Sequence, residues 1–264
     1  MKAKKSLGQH FLKSPTALAK IVDAGDIHAD DIVLEIGPGM GILTEKMILR
    51  ANKVIAVEKD RELVGFLKEK FSDAIQKTRL DIVEKDILQF DPGLLRFYHK
   101  PYKLIANIPY YITGAILEKF LSAEYQPERM VLLLQKEVAD RIVARNKRET
   151  ILSISVKVFG KATVVAKVPA GAFNPPPKVD SALLVIDEIS RDFFDDVDEK
   201  KFFELVRFLF GKKRGQIGGS LAKFLGNKAR AHACLETVGF DPRLRPENLS
   251  VAQWRVLTKT IQEC

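Results

Sequence analysis

Asn107, Pro109 and Tyr110 lie in the stretch "LIANIPYYIT" from Leu104 to Thr113, where strand-type residues end in an amide, an Ile-Pro pair and two tyrosines. These types suit chemistry on the exocyclic amine of a nucleobase. On adenine the amine lone pair is delocalised into the ring, so the nitrogen is a poor nucleophile. Acceptors on its N–H bonds would push it toward sp³ and aim the lone pair outward. The Asn107 carboxamide oxygen is one such acceptor, and the Pro109 carbonyl, on a backbone fixed by the proline ring, is the second. Tyr110 then offers a face on which a flipped-out base stacks. A methyl group on a sulfonium, held in line at near-attack distance, would transfer directly, and the methylated ammonium would lose its proton to water. An isolated Asn-x-Pro-Tyr is otherwise a strand-terminating turn. Its place one strand after a carboxylate, on the ligand-binding edge, favours the chemical reading.

Competing chemistries lack their residues. Methylation at a pyrimidine C5 uses a cysteine nucleophile, and neither Cys234 nor Cys264 lies in a plausible site loop. Base deamination needs H-x-E and P-C-x-x-C zinc ligands, which are missing, and no other Cys/His spacing suggests a metal or a disulfide framework.

The cofactor is read from "VLEIGPGMGIL", a glycine loop that follows a strand and opens a helix. Gly37 and Gly39 put Ile42 where a dinucleotide fingerprint needs Gly or Ala, and no GxxxxGK[ST] loop is present. This disfavours NAD and a Walker-type ATP site. Glu58 ends the second strand, where an acid accepts from both ribose hydroxyls. Asp86 ends the third, where it accepts from an adenine amino group. Singly, either acid is equally well a helix N-terminal carboxylate. In register with the glycines they describe an adenosine without a polyphosphate, and S-adenosylmethionine fits.

The elements that must position these groups alternate. Strand-length runs "DIVLEI", "KVIAVE", "DIVEKD", "KLIANI" and "MVLLLQ" are interleaved with helix-period segments after Met40, Arg61, Thr113 and Lys136. That pattern predicts an α/β fold with a mostly parallel sheet covered on both faces. "SPTALAKIVDAG" predicts a helix capped by Ser14, with Pro15 at its first position and Gly25 as its stop. "TVVAKVP" and "SALLVID", joined by the proline-rich "AGAFNPPPKVD", suit antiparallel edge strands. From about Asp198 the strand signal ends, and "EKKFFELVRFLFG", "NKARAHACLETVG" and "SVAQWRVLTKTIQ" predict a small all-α domain.

The 264 residues, 46% hydrophobic and 29% charged, suffice for one large core and a satellite domain. No apolar run approaches the roughly 18 residues of a membrane span, and "MKAKKSLGQHFLKS" has no apolar signal region, so a cytoplasmic protein without membrane contact is expected. A net charge of +9 fits an anionic partner. Leu205 to Leu235 contains no acid, and its Arg207, Lys212, Lys213, Arg214, Lys223, Lys228 and Arg230 follow the acidic "DEISRDFFDDVDEK". This reversal marks a domain boundary.

The motifs "SLGQHFL", "LEIGPGMGILT", "AVEKD", "EKDIL", "NIPYYIT" and "FNPPPKVDSAL" occur in the order found in the ribosomal RNA adenine N6,N6-dimethyltransferases, and the resemblance covers nearly the whole chain. It implies a Rossmann-like, S-adenosylmethionine-dependent methyltransferase domain over residues 1–190 and a helical rRNA-binding domain over 191–264. The implied activity is dimethylation of two adjacent adenosines near the 3′ end of small-subunit rRNA, on an immature 30S particle, by a monomer. "PPPKVDSA" favours this group over the sister group that modifies large-subunit rRNA. By position, His10, Leu12, Gly37, Gly39, Glu58, Asp86 and Asn107 would hold the cofactor. Asn107, Pro109 and Tyr110 would form the amine site, with Phe173 closing on the other face of the adenine. The acid-free segment with Lys212, Lys213, Arg214 and Lys223 is read as a phosphate-contacting surface for RNA; the Lys2, Lys4 and Lys5 cluster either joins it or is a disordered tail. His10 stands where many members have Asn, Tyr111 where a smaller polar residue is common, and "GKKRGQIGGSL" has glycines where relatives have a more continuous basic helix start. A DNA adenine methyltransferase is disfavoured because no large target-recognition insertion is visible. A catalytically silent RNA-binding assembly factor is disfavoured by the intact Asn107, Glu58 and Asp86.

Overall fold

The computed structural model describes residue 4 and residues 8–212 and 215–263. Its first compact unit, Met1–Asp140 with Gly160–Ile189, is built on a seven-stranded sheet. Five strands run parallel: β2 (Ile32–Ile36), β3 (Lys53–Glu58), β4 (Leu80–Glu84), β5 (Tyr102–Asn107) and β6 (Arg129–Gln135). β7 (Lys161–Val168) and β9 (Ser181–Asp187) complete the sheet antiparallel, in the order β4-β3-β2-β5-β6-β9-β7. β2 and the middle of β6 are buried throughout, which is why those sequences are unbroken apolar runs rather than alternating ones. β7 alternates exposed and half-buried residues, as an edge strand with one wet face does.

The order reverses beside β2: the chain leaves it for β3 and β4 on one side and takes up β5 on the other. A crevice opens at such a switch point beyond the carboxyl ends of the strands. A second, two-stranded sheet stands at that end. β1 (Phe11–Leu12) pairs antiparallel with β8 (Phe173–Asn174), Phe11 opposite Asn174 and Leu12 opposite Phe173. The Lys13 N–H extends the pairing by donating to the Ala172 carbonyl at 2.8 Å. The N-terminal "QHFL" and the "FNPPP" segment, far apart in sequence, are thereby tied together.

The helices start where the sequence predicts. α1 (Pro15–Ala24) is capped by Ser14, whose hydroxyl accepts from the Ala17 N–H, and Gly25 closes it. α2 (Ile42–Ile48) begins after Gly41, and α3 (Arg61–Lys70) is capped by Asp60, not by Glu58. α4 (Ser72–Gln76), α5 (Thr113–Leu121) and α6 (Lys136–Ile142) follow. Among the described residues no helix is long and apolar enough to cross a membrane.

Among the described residues the second unit, Arg141–Phe159 with Ser190–Cys264, has helices as its regular elements, short 3₁₀ turns aside: α7 (Ile151–Lys157), α8 (Glu199–Phe210), α9 (Ile217–Leu225), α10 (Lys228–Thr237) and α11 (Val251–Glu263). The division differs from a single break at residue 190, because 141–159 groups with the C-terminal helices. Its reason is aromatic packing: Phe159 meets the Phe194 ring at 5.3 Å and the Phe203 ring at 6.4 Å. α7 escapes the sequence reading because "ILSISVK" is short and rich in β-branched residues, which weaken a helical signal. α9 escapes it because of Gly218 and Gly219, yet a Cβ on Gly218 would lie 2.7 Å from that of Pro242, so this glycine permits a close approach.

Gly41 is the tightest point of the glycine loop. Its φ is +73°, and an added Cβ would fall 2.5 Å from the Phe71 ring and 2.8 Å from Leu67 Cδ2. Left-handed strain and overpacking then act together, and Gly41→Ala is expected to destabilise the protein by roughly 2–4 kcal/mol. Chemical denaturation checks this; an unchanged midpoint would contradict the packing described.

Candidate active site

A cavity of about 360 Å³ opens at the carboxyl ends of β2, β3 and β5. All seven residues expected to hold the cofactor line it, together with Pro109 and Tyr110. Sequence positions spanning about a hundred residues thus converge because their strands end on one edge.

The glycine loop presents backbone to this cavity. Gly37 has φ +63°, and a Cβ there would meet nothing within 4 Å, so the space above it is open to a ligand. Gly39, at φ +57°, instead faces Phe11, whose ring would lie 3.0 Å from an added Cβ. β1 therefore covers the loop on one side.

Glu58, at the end of β3, is 6% exposed. Its Oε1 accepts from the Asp60 N–H at 2.9 Å and its Oε2 from the Gly39 N–H at 3.3 Å. Burial raises its pKa and the backbone donors partly offset that rise. Each oxygen retains a lone-pair direction, so the pair can accept from two vicinal hydroxyls.

Asp86 lies two residues beyond β4 rather than at its end, because the strand stops at Glu84. It caps a 3₁₀ turn over Ile87–Gln89, Oδ1 accepting from the Leu88 N–H at 3.0 Å, while Oδ2 takes a 2.7 Å ion pair from Lys59 Nζ. Lys59 first, then the Leu88 N–H, hold its carboxyl below the ordinary value. Asp86 is therefore both a helix-cap carboxylate and a cavity wall.

Asn107 ends β5, with its Nδ2–H donating to the His10 carbonyl at 3.0 Å. That contact fixes the amide's rotation: nitrogen toward β1, oxygen on the opposite branch. Among the described residues the oxygen makes no hydrogen bond. His10 is itself fixed, since its Nδ1 lies 2.8 Å from the Pro175 carbonyl; a carbonyl only accepts, so that nitrogen carries the proton.

Pro109 accepts the Ile112 N–H at 3.2 Å as the first bond of the 3₁₀ turn Tyr110–Ile112. Its carbonyl keeps a second lone pair. Tyr110 is half-buried, its hydroxyl 2.7 Å from Ser181 Oγ. Burial first raises its pKa, and the serine contact lowers it in part, so the phenol stays neutral at ordinary pH.

Phe173 is 1% exposed, sits opposite Leu12 in the small sheet, belongs to the hydrophobic core and does not line the cavity. An aromatic next to a proline-rich loop looks exposed in sequence; strand pairing with β1 turns it inward. The ring facing Tyr110 is that of His10, with centroids 6.1 Å apart and planes inclined by 24°.

The sequence reading also missed Glu35. It is 1% exposed within β2, lines the cavity and accepts from Thr44 Oγ1 at 2.6 Å. A lone carboxylate inside the apolar "IVLEI" was the available signal. Burial pushes its pKa up to about 8, with Thr44 opposing the shift. Asp60 is a second omission: burial would raise its pKa, but Lys4, Gln9 and the Glu62 N–H bring it below the ordinary value. Lys4 Nζ lies 2.8 Å from Asp60 Oδ1, so this cation serves the N-terminal segment itself.

In the second unit Lys212 and Lys223 are exposed, whereas Lys213 and Arg214, like Lys2 and Lys5, lie outside the described residues. Cys234 is buried; Cys264 lies outside the described residues. Among the described residues no group of three or more His, Cys, Asp or Glu could hold a metal ion.

Comparison with known proteins gives a consistent result. The sequence pattern of the family described as "Ribosomal RNA adenine dimethylase" matches residues 1–263. A "Ribosomal RNA small subunit methyltransferase A" of Dehalococcoides mccartyi is 45% identical over 97% of this chain and 88% of its own. Among solved structures, a dimethyladenosine transferase from Plasmodium falciparum superposes with TM-score 0.82 at 28% identity, covering 96% of this chain and 98% of the other. The 23S rRNA methyltransferase ErmE gives TM-score 0.75 at 26% identity, over 96% and 99%.

Glu35 yields a pH prediction. Its pKa is higher folded than unfolded, so the native state binds the extra proton. Its stabilising contribution is full below about pH 4.5 and is lost as pH rises toward about 8, at no more than roughly 1.4 kcal/mol per pH unit. Glu35→Gln should flatten the fall of denaturation midpoint across that window. An identical slope in the variant would show that Glu35 titrates normally.

Proposed function

The chain belongs to the ribosomal RNA adenine dimethylase family, and from that premise we propose that it transfers methyl groups from S-adenosylmethionine to the N6 of two adjacent adenosines near the 3′ end of small-subunit rRNA, giving N6,N6-dimethyladenosine. The observation that carries this reading is the Asn107 amide, held by the His10 carbonyl with its oxygen free to accept.

The cavity suits the cofactor. Glu58 would accept from the ribose hydroxyls, Asp86 from the adenine amine, and the open face of Gly37 admits ligand against the backbone. His10 and Leu12, through β1, would close the side nearest β5. When bound, S-adenosylmethionine supplies an electrophilic methyl on a sulfonium.

The chain's own residues prepare the nucleophile. Asn107 Oδ1 and the second lone pair of the Pro109 carbonyl accept from the two N6–H bonds, localising the lone pair on nitrogen. Tyr110 stacks on the base and keeps N6 at that pair of acceptors. After one transfer a single N–H remains, and one acceptor suffices to aim the nitrogen for the second. The proton lost each time goes to solvent, because no basic side chain is required.

The 45% identity to a small-subunit enzyme favours that rRNA over the large-subunit RNA named for ErmE. Exposed Lys212 and Lys223 support phosphate contact by the second unit, with Lys213 and Arg214 completing the cluster in sequence. An immature 30S particle as substrate, a monomeric enzyme and a cytoplasmic setting complete the proposal.

The experiment is to incubate the protein and labelled cofactor with immature small subunits, naked rRNA and duplex DNA, then to analyse the nucleosides. Dimethyladenosine is expected from the small-subunit substrate; none from any of the three would overturn the reading. Asn107→Ala should fold normally and lower turnover by about 100-fold or more, as loss of one oriented polar group at a reacting centre does; wild-type turnover would refute the role of the amide. Binding to rRNA should weaken steeply between low and high salt as counterions are released, and a salt-independent affinity would argue against the lysine surface.

A further inference from the structure

Ser181 is a polar residue where the surroundings call for an apolar one. It is 0% exposed at the first position of β9, followed by Ala, Leu, Leu, Val and Ile, and it is flanked by Gln135 of β6 and Val168 of β7. A buried hydroxyl without a partner is destabilising. Among the described residues the partner of this one is the Tyr110 phenol, 2.7 Å away. Tyr110 comes from the 3₁₀ turn after β5, so the contact joins a loop side chain to an interior strand of the sheet.

We propose that Ser181 is a positioning residue for Tyr110: it anchors the phenol tip in the sheet and so fixes the plane on which the target adenine lies. The inference rests on the function proposed above but concerns a residue that touches neither base nor cofactor. Its geometry is specific. A tyrosine ring attached only at Cα has two torsions free. Tyr110 is also held at the far end by Ser181 Oγ, while its backbone carbonyl, accepting from Thr113 Oγ1 at 3.0 Å, steadies the turn that carries it. With its tip fixed, the ring is kept out of the space that N6 must occupy between Asn107 and Pro109. The hydroxyl is accordingly committed to the protein and does not read the base; stacking is left to the π-face, which accepts unmethylated and monomethylated adenine alike.

The test is a double-mutant cycle on methyl transfer to small-subunit rRNA, with cofactor affinity measured by calorimetry. Ser181→Ala and Tyr110→Phe should each lower kcat by about 3–10-fold, the worth of one neutral hydrogen bond. Together they should cost no more than either alone, and cofactor Kd should stay within about twofold. Multiplicative losses, a loss confined to cofactor affinity, or a Ser181→Ala kcat equal to wild type would each overturn the proposal. Should Ser181→Ala fold poorly, Tyr110→Phe decides by itself, since a wild-type kcat there leaves the hydroxyl without a role. An activity-independent readout separates this inference from the function it rests on. With Tyr ring carbons labelled, the Tyr110 resonance, one of five and assigned by its loss in Tyr110→Phe, should shift in Ser181→Ala even if no rRNA is methylated; an unmoved resonance would refute the anchor.

Discussion

The site depends on one hydrogen bond, from Asn107 Nδ2 to the His10 carbonyl. A carboxamide is both donor and acceptor, and only its orientation decides which end faces a substrate. By committing nitrogen to β1, the fold leaves oxygen open to accept. Everything around the bond serves to keep its two partners in place. β5 is buried along its length and delivers Asn107 at the sheet edge; β1 is held by β8, by the Lys13 contact to Ala172 and by His10 on Pro175. A separate two-stranded sheet of two residues a side would be marginal in isolation. Here it is a clasp that brings the acceptor carbonyl to the amide.

Electrostatically the cavity is acidic but not uniformly charged. Glu58 and Glu35 are both raised by burial and Asp86 is lowered chiefly by Lys59; Asp60, which does not line the cavity, is lowered by Lys4, Gln9 and the Glu62 N–H against the effect of burial. The acids nearest the exposed cations stay ionised, while the deepest one holds its proton into the neutral range. A sulfonium would be attracted without several bare carboxylates having to be packed together, an arrangement whose repulsion and desolvation would burden the fold. The backbone N–H groups of Gly39 and Asp60 partly offset the cost of burying Glu58.

Much of this was legible in the sequence because the relevant signals are local. Unbroken apolar runs marked the central strands, Ser14 and Gly25 marked the ends of α1, and the glycines marked a loop that only positive φ can build. Residues at strand ends follow from the strands themselves, which is why Glu58 and Asn107 fall together, with Tyr110 in the turn just after β5. What was hidden depends on pairing across long separations. Nothing in "AGAFNPPPK" says that Phe173 will pair opposite Leu12 and turn into the core. Asp86 looks like a strand end until the strand is seen to stop at Glu84. The grouping of 141–159 with the C-terminal helices rests on Phe159 meeting rings more than thirty residues away, and the Tyr110–Ser181 contact spans 71 residues.

We propose that Asn107 presents oxygen, not nitrogen, to the target amine. A crystal structure with a non-transferring cofactor analogue and an adenosine-containing oligonucleotide decides this. N6 is expected within hydrogen-bond distance of both Asn107 Oδ1 and the Pro109 carbonyl, with Nδ2 still on the His10 carbonyl. An adenine whose N6 lies away from both acceptors, or an Asn107 amide turned so that Oδ1 no longer faces it, would rule out this role for Asn107.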